Sequence, residues 1–217
     1  ELTGGKVNIA MGAVLQLWSD AREAALEDPD NAALPDMDAL RQAAEHCAID
    51  DLVLDEQAGT AELRDSAMRI DVGAVAKGYA TGLVADALRA AGYTNFVISA
   101  GGNVWAEGAP PGEDGWTVGV QSPDDSGELL TTLTLSDCAA VTSGGYLRYM
   151  TVDGVQYHHI IDPDTLMPAS YYRGLTVVND DSGLADLLST ALFCMDYDSC
   201  RAFAEEHDLK VLWIFAD

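Results

Sequence analysis

The chain has 217 residues, of which 48% are hydrophobic and seven are proline, a composition typical of one ordered domain rather than of a disordered chain. Its 36 acidic and 11 basic residues give a formal net charge of −25, which excludes non-specific nucleic-acid binding because that binding needs Lys and Arg to neutralise phosphates. No stretch approaches the roughly 18 consecutive apolar residues of a membrane span, and the first residues do not form a signal peptide. We therefore expect a soluble chain, with any targeting segment outside it.

The first third of the sequence predicts two helices followed by short strands. One helix is expected from about Met11 to Leu26, and a second from about Asp36 to His46 with Asp36 as its N-terminal cap. The segments DLVLDE, TAELRD and AMRID, within residues 51–71, then have the short alternating pattern of an antiparallel meander.

The rest of the sequence predicts blocks of strands with helices inserted between them. A helix over GYATGLVADALRAAG ends at Gly92, a typical C-terminal glycine. Short strands follow at FVISA, NVWAEG, WTVGVQS, LLTTLTLS, CAAVTSG, LRYMTVDG and VQYHHII. Helices at about 183–193 and 199–206 precede a buried strand, KVLWIF. This order indicates an α+β fold with antiparallel or mixed sheets, and the lack of repeats and of low-complexity linkers predicts a single domain over residues 1–217.

The four cysteines do not form a recognisable metal or redox motif. They are too far apart for a zinc knuckle, and the last two lack the two-residue spacing of a redox pair. We expect isolated buried thiols, with one disulfide as an open alternative. The four are Cys47, Cys138, Cys194 and Cys200.

The segment RIDVGAVAKGYATG, residues 69–82, runs from a strand into a helix through Gly73. A helix that begins after such a turn offers free backbone N–H groups and the positive end of its dipole to an anion. Lys77, one of three lysines in the chain, falls near the first turn, where the dipole disfavours a cation unless an anion is bound. On these residues alone, a phosphate site and a tight turn with a solvated lysine are equally good interpretations.

The segment NDDSGLADLLSTALF, residues 179–193, carries Asp186 and Thr190 on one face of a predicted helix. A carboxylate and a hydroxyl are hard oxygen ligands of the kind that Mg²⁺ accepts, with water and substrate phosphate at the remaining positions. The solvated polar edge of an amphipathic helix is the more common explanation of such a pair, and spacing alone does not overturn it.

The segment QYHHIIDPDTLMPA, residues 156–169, contains two adjacent histidines. His158 and His159 are expected to face opposite sides of a strand, so that only one points into a given site. Imidazole suits general-base chemistry, although a histidine on a strand is more often structural. Asp162 and Pro163 are typical of the start of a turn. The sequence shows neither a hydrolase triad nor a zinc-ligand spacing.

Five motifs occur in the order DVGAVAKGYA, SAGGNVWAEG, VTSGGYLRYM, HHIIDPDTLMP and DLLSTALF. Together they resemble the FAD:protein FMN transferase family, the ApbE-like, T-fold-like proteins that include the thiamine biosynthesis lipoproteins. The resemblance covers nearly the whole chain. It implies an enzyme that uses FAD and Mg²⁺, transfers FMN to a Thr or Ser hydroxyl of an acceptor protein, and releases AMP.

The resemblance also implies a biological setting. The acceptor would be a redox or respiratory flavoprotein, and the enzyme would act in the bacterial cell envelope, held there by a membrane anchor that this sequence does not carry. The start of the chain resembles an internal stretch of the family, so we expect the family's N-terminal region to be absent here.

Carried over residue by residue, the resemblance implies a metal site and a flavin site. The metal ligands would be the backbone carbonyl of Ala74 and the side chains of Asp186 and Thr190. Contacts to FAD are expected from Asn8, Ile9, Asp71, Lys77, His159 and Ile160. Of these, His159 is the candidate catalytic base, which would take the proton of the attacking hydroxyl.

Three residues depart from the family's pattern: Gly145 replaces Asp or Asn, Leu166 replaces Gly, and Asn8 replaces Asp. None is a proposed metal ligand, so we expect metal binding to survive better than flavin affinity. Hydrolysis of FAD to FMN and AMP, with water as the nucleophile, is the first alternative function. A non-catalytic flavin-binding domain is the second.

Overall fold

The computed structural model describes residues 2–124, 127–146 and 148–215. The helices are α1 (Gly12–Glu27), α2 (Met37–Ala44), α3 (Ala76–Ala90), α4 (Ser182–Phe193) and α5 (Tyr197–Glu206). The strands are β1 (Leu52–Asp55), β2 (Thr60–Leu63), β3 (Phe96–Ala100), β4 (Asn103–Glu107), β5 (Trp116–Gln121), β6 (Leu129–Leu135), β7 (Cys138–Gly144), β8 (Tyr149–Val152), β9 (Val155–His158), β10 (Ile161–Asp162), β11 (Met167–Pro168), β12 (Gly174–Asn179) and β13 (Lys210–Ile214). The α+β prediction is confirmed.

The chain forms two compact units, and each is described by itself. The first unit consists of Glu1–Val72 and Leu147–Pro168, and the second of Gly73–Tyr146 and Ala169–Asp217. That residues 1–217 form a single domain stays a prediction.

In the first unit, α1 and α2 pack around one apolar cluster. Val14 and Trp18 of α1 lie one helical turn apart and are buried with Leu40 of α2. Helix α2 begins at Asp36, whose carboxylate accepts hydrogen bonds from the backbone N–H groups of the next turn, as predicted. Three antiparallel hairpins, β1–β2, β8–β9 and β10–β11, complete this unit.

The prediction that AMRID forms the third strand of the meander is wrong. Its backbone groups do not extend the β1–β2 hairpin but bond to the segment that leads into α1. The carbonyl of Arg69 accepts from the N–H of Gly12 at 3.0 Å, and the N–H of Asp71 donates to the carbonyl of Ile9 at 2.8 Å. Met11 and Arg69 form an isolated parallel bridge. The segment therefore fixes the start of α1.

In the second unit, a five-stranded antiparallel sheet has the order β13-β12-β7-β4-β3. Helix α4 packs on β7 and β12 with its apolar residues buried, and α3 packs on α4 and β4. Strand β13 lies at an edge of the sheet, so its side chains are mostly half-buried, whereas a buried strand was predicted. A hairpin of β5 and β6 and helix α5 complete this unit.

Glycine residues determine two features of α3. Gly92 adopts φ +89° and ends the helix, as predicted. Gly78 lies where α3 crosses α4 so closely that an added Cβ would collide with the carbonyl of Ser182 and come within 2.6 Å of the Cβ of Asp186. Glycine at position 78 thus lets the first turn of α3 reach Asp186.

Two further findings concern the chain as a whole. In the described part of the chain, no helix combines the length and the apolarity needed to cross a membrane. The four cysteines are free thiols, with Cys194 and Cys200 fully buried and Cys47 and Cys138 half-buried.

Candidate functional site

The first turn of α3 in the second unit forms the electropositive part of the candidate site. Val75, the residue before the helix, provides no side-chain cap, and Lys77 is the second helical residue. The N–H groups of a first turn have no partner within their own helix, and here Gly78 donates to Oδ2 of Asp186 at 2.8 Å. The N-terminal end of α3 therefore carries backbone donors and an ammonium group. Ala74 lies two residues before the first helical residue, Ala76.

Asp186 is a buried carboxylate whose partners only partly compensate its charge. It is 3% exposed. The Lys77 ammonium lies 3.8 Å from Oδ1. Burial raises the pKa of the Asp186 carboxyl above its ordinary value, and the opposing effects of the Gly78 N–H and of Lys77 do not cancel it. A further cation at Oδ1 would stabilise the ionised form.

Lys77 is held on the other side by the SAGGN segment. Its Nζ lies 3.4 Å from the carbonyl of Gly101, and the side chain is about half exposed. Gly101 and Gly102 both have positive φ angles, 53° and 90°, which bring this segment round into a tight turn before β4. The ammonium thus lies between a carbonyl and a carboxylate and remains accessible to an anion.

Thr190 lies one turn after Asp186 on α4, as predicted, and belongs to a cluster of hydroxyl groups. The Oγ of Ser143 on β7 lies 2.8 Å from that of Ser189 and 3.4 Å from Oγ1 of Thr190. Ser189 in turn donates to the backbone carbonyl of Asp186 at 2.9 Å. These contacts fix the rotation of α4 against the sheet.

Sequence reasoning missed Ser143 and Ser189. Both occur inside quoted motifs, VTSGG and DLLSTALF, but their 46-residue separation conceals the contact. For Ser189 the available signal was its position next to Thr190, whereas Ser143 lies next to no proposed ligand.

The candidate ligands Asp186, Thr190 and the carbonyl of Ala74 offer oxygen atoms of types that fit a hard divalent cation. Carboxylate, threonine hydroxyl and backbone carbonyl are ligand types that Mg²⁺ accepts, and burial raises the pKa of the Asp186 carboxyl. The described residues contain no group of three or more His, Cys, Asp or Glu side chains that could hold a metal. The candidate ligand set contains only one carboxylate, Asp186, so it is not such a group. It would leave several coordination positions for water and substrate oxygens.

In the first unit, Ile9 and Asp71 are joined through the backbone. The 2.8 Å hydrogen bond between them places the two candidate flavin residues side by side just before α1. Asn8 lies next to them, and its side-chain amide makes two hydrogen bonds within the chain. Its Nδ2 donates to the carbonyl of Cys47 at 2.8 Å, and its Oδ1 accepts from the N–H of Ala10 at 2.9 Å. An Asp at this position could not make the first of these bonds.

His159 lies just beyond β9 and not within it. The strand ends at His158, whose Nδ1 accepts from the N–H of Ile160 at 3.2 Å and turns the chain. That the two histidines face opposite sides stays a prediction, since the N–H of His159 still bonds to the carbonyl of Arg148 at 3.1 Å. The hydrogen bond from the N–H of Ile160 to the His158 ring is a local contact.

The surroundings of His159 select one tautomer. Nδ1 lies 3.3 Å from the carbonyl of Arg148, and because a carbonyl only accepts, Nδ1 carries the proton and Nε2 the lone pair. The half-buried position lowers the pKa of His159 to about 4, despite the opposing bond to Arg148. At neutral pH the ring is an uncharged acceptor, the form that a general base requires.

Asp162 shapes the turn that follows, as predicted. Its carbonyl accepts from the N–H of Leu166 at 2.8 Å, and its Oδ1 accepts from the N–H of Asp164 at 3.1 Å. Leu166 adopts φ +59° in this turn. Its carbonyl accepts a 2.9 Å hydrogen bond from Nε1 of Trp18.

Comparisons with known proteins agree on one family. The model of the ApbE family matches residues 1–213. An FAD:protein FMN transferase of Treponema pallidum is 34% identical over all of this chain. A protein of the same name from Klebsiella pneumoniae is 30% identical over 95% of it. This chain spans 62% of the length of each of these two relatives.

Solved structures show the same fold. The ApbE protein of Thermotoga maritima superposes with a TM-score of 0.85 at 30% identity, over 98% of this chain and 68% of that one. The flavin transferase ApbE of Vibrio cholerae gives a TM-score of 0.81 at 25% identity, over 100% of this chain and 67% of that one. Sequence and fold therefore point to the same group of proteins.

Proposed function

Because this chain belongs to the ApbE family, we propose that it catalyses Mg²⁺-dependent transfer of FMN from FAD to a threonine or serine hydroxyl of an acceptor protein, with release of AMP. The relatives named FAD:protein FMN transferase support the reaction class. The observation that carries the proposal is the buried Asp186 carboxylate, bonded to the first turn of α3 beside Lys77.

The second unit would hold the pyrophosphate of FAD. Backbone N–H groups at the start of α3 and the ammonium of Lys77 are donor types that suit phosphate oxygens. Mg²⁺, held by Asp186, Thr190 and the carbonyl of Ala74, would neutralise charge that builds up as the phosphoanhydride breaks. Ser143 and Ser189 would keep the ligand face of α4 in place.

Residues of the first unit would contact the flavin and accept the proton of the attacking hydroxyl. Ile9, Asp71 and Ile160 would contact the cofactor together with Asn8, whose side chain is held by two hydrogen bonds within the chain. Nε2 of His159 would accept the hydroxyl proton as the hydroxyl oxygen bonds to the phosphorus on the FMN side. The bond from that phosphorus to the AMP oxygen breaks, and AMP leaves with the electron pair.

The acceptor is part of the same proposal. A redox or respiratory flavoprotein would present a threonine or serine, because a covalently bound FMN is of use to a protein that carries electrons. The family resemblance, not a feature of the described residues, supports this choice and the cell-envelope location.

The test is incubation of the purified chain with FAD and Mg²⁺, with and without a pool of threonine-containing peptides. A matched pool with alanine in place of threonine is the control. Mass spectrometry would show the FMN mass on threonine peptides alone, with an equal amount of AMP. AMP with free FMN, independent of peptide, would establish FAD hydrolysis instead. FAD binding without AMP release would indicate the binding domain.

A further inference from the structure

Lys6 of the first unit makes two short contacts with carboxylates. Its Nζ lies 2.9 Å from Oδ1 of Asp162 and 2.8 Å from Oδ2 of Asp164. The Lys6 side chain is 19% exposed and that of Asp162 is 3% exposed, whereas Asp164 is open to solvent. One end of this cluster is therefore a desolvated ion pair, in contrast to the surface pairs of α2 and α3.

The positions of these residues give the ion pair its significance. Lys6 lies two residues before Asn8, and Asp162 lies two residues after Ile160. The contact thus joins the segment of Asn8 and Ile9 to the segment of His159 and Ile160, which are 150 residues apart in sequence. These are the two parts of the first unit to which flavin and proton-transfer roles are assigned above.

Both segments are tightly turned, so a fixed point in each limits the whole segment. Before Lys6, Gly4 and Gly5 have positive φ angles, and the N–H of Lys6 bonds to the carbonyl of Thr3. On the other side, Asp162 accepts from the N–H groups of Asp164 and Leu166. Movement of the Asp162 side chain would disturb this turn as well as the ion pair.

The charge arrangement favours a persistent contact. Burial by itself would lower the pKa of Lys6, but the hydrogen bonds and charges of Asp164 and Asp162 outweigh it and raise the pKa above its usual value. The ammonium therefore stays charged throughout the working pH range. A buried carboxylate that loses its counter-ion is strongly unfavourable, so Asp162 would not keep its place without Lys6.

We propose that Lys6 is a positioning residue, which through Asp162 holds the Asn8–Ile9 segment and the His159–Ile160 segment in the arrangement that flavin binding and transfer require. The proposal rests on the flavin-transfer function given above. In this role Lys6 acts through Asp162 and not by contact with FAD.

The test compares Lys6→Met with Lys210→Met. Both variants lose one ammonium group and keep a similar unbranched side chain, but Lys210 lies on β13 of the second unit. We expect Lys6→Met to weaken FAD binding and to lower kcat/KM for AMP release by about ten- to a hundredfold, because misplaced contact residues cost that much. Lys210→Met should match the parent, and Lys6→Arg, which keeps the charge, should recover most of the loss.

Amide hydrogen exchange provides a readout that does not depend on FAD. Lys6→Met should exchange faster than the parent in two separated segments together, residues 7–10 and 159–166. Asp164→Asn, which removes only the exposed contact, gives a smaller change in the same direction and serves if Lys6→Met does not fold.

Each outcome decides between the hypotheses. Parent-like exchange in both segments, or altered exchange with parent-like FAD affinity and kcat/KM, overturns the positioning role. If the parent chain itself neither binds nor turns over FAD, the proposed function fails. In that case exchange alone decides whether Lys6 couples the two segments.

Discussion

Asp186 is nearly fully buried, yet the Lys77 ammonium lies 3.8 Å from it. Asp186→Asn keeps an oxygen for the Gly78 N–H but removes the charge that a cation needs. We expect Mg²⁺-dependent AMP release to fall by at least about a hundredfold. The thermal midpoint should not fall, because Asn is neutral and avoids the desolvation cost of the buried carboxylate. Measurements of AMP release and of thermal unfolding check both parts.

The control for this substitution lies on the same helix. Asp181 caps α4 by accepting from the N–H of Leu184 at 2.9 Å, and Asn caps helices as well as Asp does. Asp181→Asn removes one negative charge at the helix start and should keep parent activity. Equal activity losses in the two variants would contradict a specific role for Asp186.

The environment of His159 predicts a pH profile. Because burial lowers its pKa to about 4, the ring stays neutral down to about pH 5, and kcat/KM should be flat from about pH 5.5 to 8. Activity that depends on the neutral ring is lost as the pH falls through the pKa of His159 in the folded protein, about 4. The unfolded chain binds a proton near the ordinary pKa of about 6.5, so stability also declines between about pH 6.5 and 4.

Kinetics of AMP release and an NMR titration of the His159 ring measure this directly. His159→Gln should remove the acid limb along with most of the transfer rate and leave FAD affinity within a small factor of the parent. His207→Gln, at the end of α5 in the second unit, is the control. A ring that titrates at an ordinary value near 6.5 would refute the assignment.

Leu166 combines a positive φ angle with contacts to the apolar cluster of the first unit. Leu166→Ala would lose these contacts and keep the backbone strain, whereas Leu166→Gly would lose the contacts and relieve the strain. We therefore expect the glycine variant to be more stable than the alanine variant by about 1 kcal/mol. Urea unfolding of both variants measures this difference, and the opposite order would mean that position 166 is unstrained.

At the scale of elements, the crossing of α3 and α4 depends on one glycine. A Cβ on Gly78 would lie 2.6 Å from that of Asp186, whereas one on Gly82, a turn later on the same helix, would meet nothing within 4 Å. Gly78→Ala should cost about 1–3 kcal/mol of stability through overpacking. Gly82→Ala should gain about 0.5–1 kcal/mol because alanine is the better helix former. Unfolding in urea compares the two, and equal effects would contradict the close crossing.

Most helices could be predicted because their signals are local. The apolar spacing of α1, the Asp36 cap of α2 and the terminal Gly92 of α3 all lie within a few residues of the feature that they determine. The same holds for the family, since its motifs are short and their order is visible in the sequence. The metal ligands and Lys77 were proposed on that basis.

The remaining features depend on contacts that no local pattern encodes. The bond between Gly78 and Asp186 joins residues 108 positions apart, and the AMRID segment bonds to the start of α1 instead of to β2. Strand β9 ends where the ring of His158 accepts a hydrogen bond from the N–H of Ile160, two residues further on. Alternation along a strand predicts none of these outcomes.

At the scale of the whole molecule, the net charge of −25 predicts a response to salt. Like charges on a folded chain repel one another, and salt shortens the screening length from about 10 Å at 0.1 M to about 3 Å at 1 M. We expect the thermal midpoint to rise steadily with NaCl from 0.05 to about 1 M. The free amino acid glycine, added to the buffer at equal concentration, is zwitterionic and does not screen charge. It should therefore raise the thermal midpoint less than NaCl does. A midpoint that falls with NaCl would show that ion pairs outweigh the repulsion.

Trp18 is buried in the first unit, with its ring stacked on Tyr157 and its N–H bonded to the carbonyl of Leu166. The other three tryptophans, Trp105, Trp116 and Trp213, belong to the second unit. A variant with phenylalanine at those three positions would carry one indole fluorophore. The fluorescence of Trp18 would then report on the first unit alone. Because its N–H bonds to Leu166, the emission should change when the turn after Asp162 loosens.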